Sequence, residues 1–424
     1  MRTICKKTPI EIEELMVRLV KTYVRRIDMI VQINTCAGIG STGRIMKSLS
    51  EEASNYGMSS LMVCSNESES DCNTWYTQTK SQYYWNNICS RLFGNEGSVA
   101  YKETRSLLRK FDEIKIDLIH IHNLHGHYIH SGLLFDYIKK NSIPTVWTLH
   151  DCWAFTGHCP NFDSVNCKKW IHGCDHCPQL DIYPKCYIDY TNKMWRHKKA
   201  WFTNVKNMVI VTPSEWMAKQ VSSSFLKDYP IKVIHNGINL TIFKPVQSDF
   251  RDRYFLHEKY ILLGVAFGWG ERKGLDVFIE LAKILDDRFQ IVLVGTDQKM
   301  DKILPTSIIS IHRTKDLNEL VELYSEADLF VNPTREDNFP TVNIEALACG
   351  TPVVTFDTGG SPEIIDKTCG DVIPRNDIEK LINRIKEIYI NHQYNKESCV
   401  NRARYFDQHK KYKEYVELYK EMIT

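Results

Sequence analysis

Short runs rich in Val, Ile and Leu alternate with amphipathic stretches along most of the chain. A first series reads MIVQINTC (29–36), SLMVCS (60–65), IDLIHIHN (116–123), TVWTLHD (145–151) and MVIVTPS (208–214), with a helix-like stretch at 43–57. A second reads YILLGVAFG (260–268), FQIVLVG (289–295), IISIH (308–312), DLFVNPT (328–334) and TPVVTFDTGG (351–360). It is interleaved with the helical GLDVFIELAKIL, LNELVELYSEA and VNIEALACG. Apolar runs of strand length separated by helical periodicity predict parallel strands with crossover helices. Two successive series predict an α/β protein of two doubly wound units, 29–235 and 259–400. The polar, proline-containing segment 236–258 is the expected linker. A last helical pattern over 401–424 has no packing partner evident from periodicity.

Composition agrees with two domains, because 424 residues with 43% hydrophobic content exceed one ordinary core. A formal charge of +2 excludes the nucleic-acid backbone as the main partner. No apolar run approaches the roughly 18 residues of a membrane span, and the N-terminus lacks the apolar core of a secretory signal, so a cytoplasmic location is expected. Residues 1–28 precede the first strand with a basic amphipathic pattern, IEIEELMVRLVKTYVRRI. They read either as an extension ahead of a true start at Met29 or as a surface helix resting on anionic lipid.

The first turn, AGIGSTGR (37–44), spells Gly-x-Gly-x-x-Gly with Gly38, Gly40 and Gly43 between a strand and a helix, as a dinucleotide-binding turn does. Glu67 and Glu69 follow the second strand where a ribose-binding acid would stand, so an NAD-dependent dehydrogenase stays open from this segment alone. In the second unit an acidic loop, Glu336 and Asp337, ends the strand DLFVNPT and precedes a helix expected to carry Glu345 in its first turn. Ligands of open α/β sheets bind beyond the carboxyl ends of strands, where helix amides suit a diphosphate and a carboxylate accepts both hydroxyls of a ribose.

Most of the fourteen cysteines are scattered singly and read as reduced thiols, among them Cys5, Cys36, Cys64, Cys89, Cys349 and Cys399. The excursion 152–186 differs. Cys159, Cys167, Cys174 and Cys177 end in C-x-x-C, a spacing that fits a closed structural zinc site, with His158, His172 or His176 as substitutes, or disulfides or inert thiols. The histidine-rich HIHNLHGHYIH (120–130) alternates across a strand and reads as cleft-lining.

The chain from Met29 onward resembles the retaining family 4 glycosyltransferases, and within them the bacterial exopolysaccharide branch of the colanic-acid type. The resemblance is carried by STGR, WTLHD, the cysteine-rich stretch, VTPSEWMAKQV, VIHNGI, ERKGLDVFIE, LYSEADLFVNPT, EALACGTPVV and TGGSPEII. The hallmark pair of acids separated by seven residues falls on Asp337 and Glu345. The chain has EDNFP where Glu-Gly is usual, which leaves Glu336 or Asp337 to face the sugar.

The resemblance implies a GT-B architecture, two Rossmann-like domains facing across a cleft. It also implies hexosyl transfer with retention, from a nucleotide-diphosphate sugar to a saccharide acceptor, lipid-linked and built into capsule, lipopolysaccharide or other exopolysaccharide. Donor contacts are then expected at Gly40, Ser41, Glu336, Asp337, Asn338, Phe339 and Glu345. His150 would meet the donor sugar. No Asp-x-Asp occurs in the sequence, so a catalytic metal is not expected, and Lys273 and Arg272 of GERKG would stabilise the leaving diphosphate. Family members place this Arg five residues before the Lys, where this chain has Gly268. The basic, aromatic 192–202 is a candidate for peripheral membrane contact. The alternatives are a sugar-nucleotide epimerase or hydrolase of the same fold, and a non-catalytic cysteine-cluster binding protein.

Overall fold

A computed structural model describes residues 27–66 and 73–424, so Glu67, Glu69, Cys5 and the pattern of residues 1–26 lie outside the described residues. Two all-parallel sheets form the two units. The first holds β1 (Met29–Ile33), β2 (Ser59–Cys64), β3 (Thr74–Tyr76), β4 (Leu118–Ile121), β5 (Thr145–Thr148), β6 (Met208–Thr212) and β7 (Ile231–Val233), in the order β3-β2-β1-β4-β5-β6-β7. The second holds β8 (Tyr260–Val265), β9 (Phe289–Val294), β10 (Ile308–Ile311), β11 (Leu329–Asn332), β12 (Val353–Phe356) and β13 (Gly370–Ile373), in the order β10-β9-β8-β11-β12-β13. In both sheets the order reverses beside the first strand, at β1/β4 and at β8/β11. Each reversal opens a crevice at the carboxyl ends.

The central strands are apolar because helices cover both faces: β4, β5, β11 and β12 are buried at every residue. The glycine turn has the expected mechanics. Gly38 and Gly40 adopt φ of 71° and 67°, and a Cβ on Gly43 would lie 3.1 Å from the Cys36 carbonyl oxygen. Glycine is therefore required for the turn and for close helix–strand packing. The helix that follows, Gly40–Asn55, begins without a side-chain cap and with no acid in its first turn.

The C-terminal helix, Gln408–Ile423, does not stay with the second domain. It crosses back to the first, where Tyr412, Tyr415 and Tyr419 join Ile30, Leu118, Val146 and Val211 in one buried cluster. The linker runs beside the start of this return, with Ile238 bridged to Asp407. The two crossings form a hinge strip on one side of the cleft.

Candidate active site

The acidic loop after β11 lies on the floor of the cleft. Asp337 Oδ2 pairs with Lys273 Nζ at 2.7 Å, both side chains about one-fifth exposed. Glu336, buried, turns away from that pair and accepts the backbone N–H of Ser164 at 2.9 Å, a contact from the opposite domain. Asn338 Nδ2 donates to the His150 carbonyl at 2.5 Å. The loop can approach the next turn this closely because Gly359 and Gly360 present no Cβ to the Asp337 and Asn338 carbonyls. The Phe339 side chain is buried, stacked on His235 with centroids 4.9 Å apart, and its carbonyl accepts from Asn236 Nδ2 of the linker at 3.4 Å, so it belongs to the hinge packing. Arg272 Nη1 reaches the Glu336 carbonyl at 3.4 Å.

Glu345 is the fifth residue of the helix Thr341–Ala348, one position past the first turn. It is buried and accepts the Tyr324 hydroxyl at 3.1 Å. Burial pushes its carboxyl up, while the Arg44 guanidinium, Tyr324 and Thr341 pull the other way. An open cavity of about 390 Å3 lies between the domains here, lined by Ser41, Arg44 and Lys47 on one side and by Thr341 and Glu345 on the other. Glycine turn and distal acid thus share one cavity; Asp337 and Asn338 sit on the loop leading into the helix that bears Glu345, and Lys273 reaches that loop from the turn after β8.

Arg44 was legible in STGR but had no role assigned from sequence. It stands on the first turns of the Gly40–Asn55 helix, whose free N-terminus also favours an anion.

On the opposite wall, His150 and Asp151 diverge as neighbours in an extended chain do. Asp151 Oδ2 pairs with His125 Nε2 at 2.7 Å, and His125 Nδ1 meets the Tyr183 hydroxyl at 2.9 Å. His150 Nε2 meets His122 Nδ1 at 2.9 Å, and His122 Nε2 meets Gln32 Oε1 at 3.2 Å. Burial brings His150 down to about 4, against the nearby Asp151, so the ring is neutral at physiological pH. Buried His122 and His125 of the histidine-rich run line a small pocket with His150 and support it from behind, instead of lining the cavity between the domains.

The cysteines converge without forming a metal centre. Cys159, Cys167, Cys174 and Cys177 line one small pocket with His158 and Trp170. However, no three His, Cys, Asp or Glu side chains among the described residues are grouped as a metal ion requires, which corrects the zinc expectation. The sulfurs are engaged otherwise: Cys159 and Cys177 hydrogen-bond to each other, and Cys174 Sγ accepts the Gly157 N–H at 3.2 Å.

The segment 192–202 is an amphipathic helix. In the helix Thr191–Phe202, Met194, Trp195 and Phe202 point inward, and the exposed face is cationic at Lys193, Arg196 and Lys199. No helix among the described residues is long and apolar enough to cross a membrane.

Two Rossmann-like sheets whose switch-point crevices meet across a cleft, with cations and acids on the facing loops, define a GT-B enzyme. The chain belongs to glycosyltransferase family 4, a family of retaining, metal-independent enzymes. The Glycosyltransferase Family 4 pattern matches residues 43–242, and the Glycosyl transferases group 1 pattern matches residues 258–391. The chain is 30% identical over 257 residues to the O-antigen chain mannosyltransferase RfbU of Salmonella typhimurium, covering 56% of this chain and 68% of that one. It is 24% identical over 277 residues to an Escherichia coli protein described as a colanic acid biosynthesis glycosyl transferase, WcaC, covering 63% and 67%. Among solved structures, sucrose-phosphate synthase of Thermosynechococcus elongatus superposes with a TM-score of 0.70 at 18% identity, over 93% of this chain and 99% of that one. Anabaena HepE in complex with UDP-glucose superposes at 0.64 with 15% identity, over 92% and 98%. The dehydrogenase and non-catalytic readings of the sequence are set aside by this membership.

Proposed function

We propose that the protein transfers a hexose, with retention, from a nucleotide-diphosphate sugar to a lipid-linked saccharide during assembly of a bacterial surface polysaccharide. The observation that carries this is the shared cavity in which Glu345 of one domain faces Arg44 and Ser41 of the other. Glu345 accepts the ribose hydroxyls, and the glycine turn and Arg44 meet the diphosphate. Lys273, held ready by Asp337, meets the charge that develops on the diphosphate as the glycosidic bond breaks, with Arg272 beside it. Asp337 and the neutral His150 take sugar hydroxyls from opposite walls. The acceptor oxygen then forms its bond to the anomeric carbon on the face from which the diphosphate leaves, and the hydroxyl proton passes to the departing diphosphate oxygen.

The names of the relatives, an O-antigen mannosyltransferase and a colanic acid transferase, support a polysaccharide acceptor. The test is a thermal-shift screen of nucleotide sugars, followed by turnover of the stabilising donor with and without a lipid-linked acceptor fraction. Turnover that needs the lipid fraction upholds the reading. Equal turnover without it favours the hydrolase, and epimerised donor favours the epimerase.

A further inference from the structure

The helix Lys80–Phe93 is packed with its faces reversed. Its only buried side chains are polar: Asn86, whose Nδ2 donates to Gln78 Oε1 at 2.8 Å, and Ser90, whose Oγ donates to Glu96 Oε2 at 2.7 Å. The large apolar residues look out, with Tyr84 64%, Trp85 66%, Ile88 50% and Leu92 46% exposed. At 100° per residue these four occupy one arc of about 100°, the width of the stripe that a surface helix ordinarily turns to the core. Phe93 extends the stripe to the last turn.

The surface continues onto a second segment. The Tyr187 N–H donates to the Arg91 carbonyl at 2.8 Å, and the Ile188 carbonyl occupies the place where a Cβ on Gly94 would fall. Ile182, Tyr187 and Ile188 are each at least half exposed. A contiguous apolar surface of this kind marks an interaction site.

Charge identifies the occupant. The helix carries Lys80 and Arg91 and no acid, and 182–188 carries Lys185 and no acid. Lys193 lies over the Tyr190 ring, which packs on Gly94 at the junction of the two segments. Asp181 and Asp189 bound the second segment, and Asp189 is engaged by the Cys177 and Thr191 N–H groups, so Lys80, Arg91, Lys185 and Lys193 leave the surface net cationic. Trp and Tyr among aliphatic residues with a cationic surplus are the composition that settles into the headgroup region of an anionic membrane.

We propose that the outward face of the helix Lys80–Phe93, together with Ile182–Ile188, docks the protein on an anionic lipid bilayer. The surface is also coupled to the cleft. Tyr183, in the docking segment, hydrogen-bonds His125, which pairs with Asp151 beside His150. A bilayer seated here borders the acceptor wall, which deepens the lipid-linked acceptor reading. The docking surface meets the segment 192–202 at Lys193.

The test is co-sedimentation of the full chain with vesicles of phosphatidylethanolamine and phosphatidylglycerol, and with vesicles of phosphatidylcholine alone. Binding to the anionic vesicles that weakens with added salt is expected. The triple variant W85S/I88S/L92S should lose roughly tenfold or more in partitioning. The double variant K80E/R91E should lose a similar factor on the anionic vesicles only. Both should keep the wild-type circular dichroism and melting midpoint, since the replaced side chains are exposed.

Binding by both variants equal to wild type would overturn the proposal and place any membrane affinity elsewhere, with residues 1–28 the next candidate. Wild-type protein that stays in the supernatant would overturn it as well. So would a lipid-free dimer that W85S/I88S/L92S converts to monomer, because a second copy would then be what covers the stripe. These vesicles contain no glycolipid, so failure of the acceptor reading leaves the docking result standing.

Discussion

Glu345→Gln separates recognition of a ribose from everything else the cleft does. The wild-type carboxylate is buried, holds one hydrogen bond from Tyr324 and faces Arg44 across the cavity. Glutamine keeps the volume and an amide oxygen for the Tyr324 hydroxyl, so the fold should lose about 1 kcal/mol or less. The recognition term is larger, because exchanging a charged acceptor for a neutral one on a diol costs about 1.5–3 kcal/mol. That is about one to two decades in Kd for the nucleoside diphosphate.

Calorimetry with the nucleoside diphosphate and its 2′,3′-dideoxy counterpart makes the comparison internal. The ribo ligand should weaken by that factor in the variant, and the dideoxy ligand should bind both proteins alike. The pH dependence has a definite sign. Burial raises the carboxyl, so wild-type affinity should fall on acidification at a higher pH than an ordinary glutamate would dictate, whereas Glu345→Gln should be flat there. In the free protein a carboxyl raised by burial costs stability as pH rises past its unfolded value, a cost that Glu345→Gln does not carry at neutral pH. An equal loss of affinity for the ribo and dideoxy ligands would refute the diol assignment and leave Glu345 a structural partner of Tyr324.

Lys273→Ala should lower turnover at saturating donor by about 10²–10³ with a smaller change in donor affinity, because its charge acts mainly as the diphosphate departs. Single-turnover rates check this, and near-normal turnover would pass the role to Arg272. Cys177 should be the most readily alkylated thiol of its cluster. The hydrogen bond from Cys159 outweighs burial and lowers Cys177 to about 7. Mass-mapped iodoacetamide labelling should therefore rise through that pH, and Cys159→Ala should move the midpoint upward.

The sequence announces nine interior strands, because a strand covered on both faces must be an uninterrupted apolar run, and one edge strand, β10, whose IISI is apolar although only Ile308 is buried. The strands it does not announce are β3, β7 and β13. All three lie at sheet edges, where burial is partial and a short, mixed segment suffices. In the cleft, residue types and spacing were enough to single out Lys273, Asp337 and Glu345. Their partners were not legible: Ser164 reaches Glu336 across 172 positions and His150 reaches Asn338 across 188, distances over which no local pattern carries information. The C-terminal helix shows the same limit, since its periodicity reveals a buried face but not that Tyr419 will meet His120. The cysteine spacing was legible and misleading. C-x-x-C brings sulfurs into one pocket, but side-chain direction decides whether they point at a common centre. The reversed helix Lys80–Phe93 escaped notice because its apolar stripe is ordinary in sequence, and only its burial shows which way it faces.

The charge state of His150 follows from groups that never touch the cleft. Gln32 Nε2 donates to the Ser60 hydroxyl at 2.9 Å, which turns Gln32 Oε1 toward His122. An amide oxygen only accepts, so His122 Nε2 carries a proton and, the ring being neutral in its buried setting, Nδ1 is left as a lone pair. His150 must then donate from Nε2 to that lone pair, leaving its own Nδ1 as an acceptor and nothing to give a leaving group. Burial is what disfavours protonating His150, with His125 adding to it against the pull of Asp151, and its value falls to about 4. A neutral acceptor suits a sugar hydroxyl and agrees with the proposal that Lys273 and Arg272 stabilise the diphosphate. Nitrogen-15 spectra of the full protein should show His150 as the neutral Nε2–H tautomer from pH 5 to 8. Gln32→Leu, which removes the acceptor that orients His122, should mix the tautomers of both rings and raise KM for donor more than it lowers kcat. Should His150 instead titrate near 6.5, with an acidic limb in the rate profile that His150→Asn abolishes, the ring would be an imidazolium in the working enzyme and the cation assignment in the cleft would have to be redrawn.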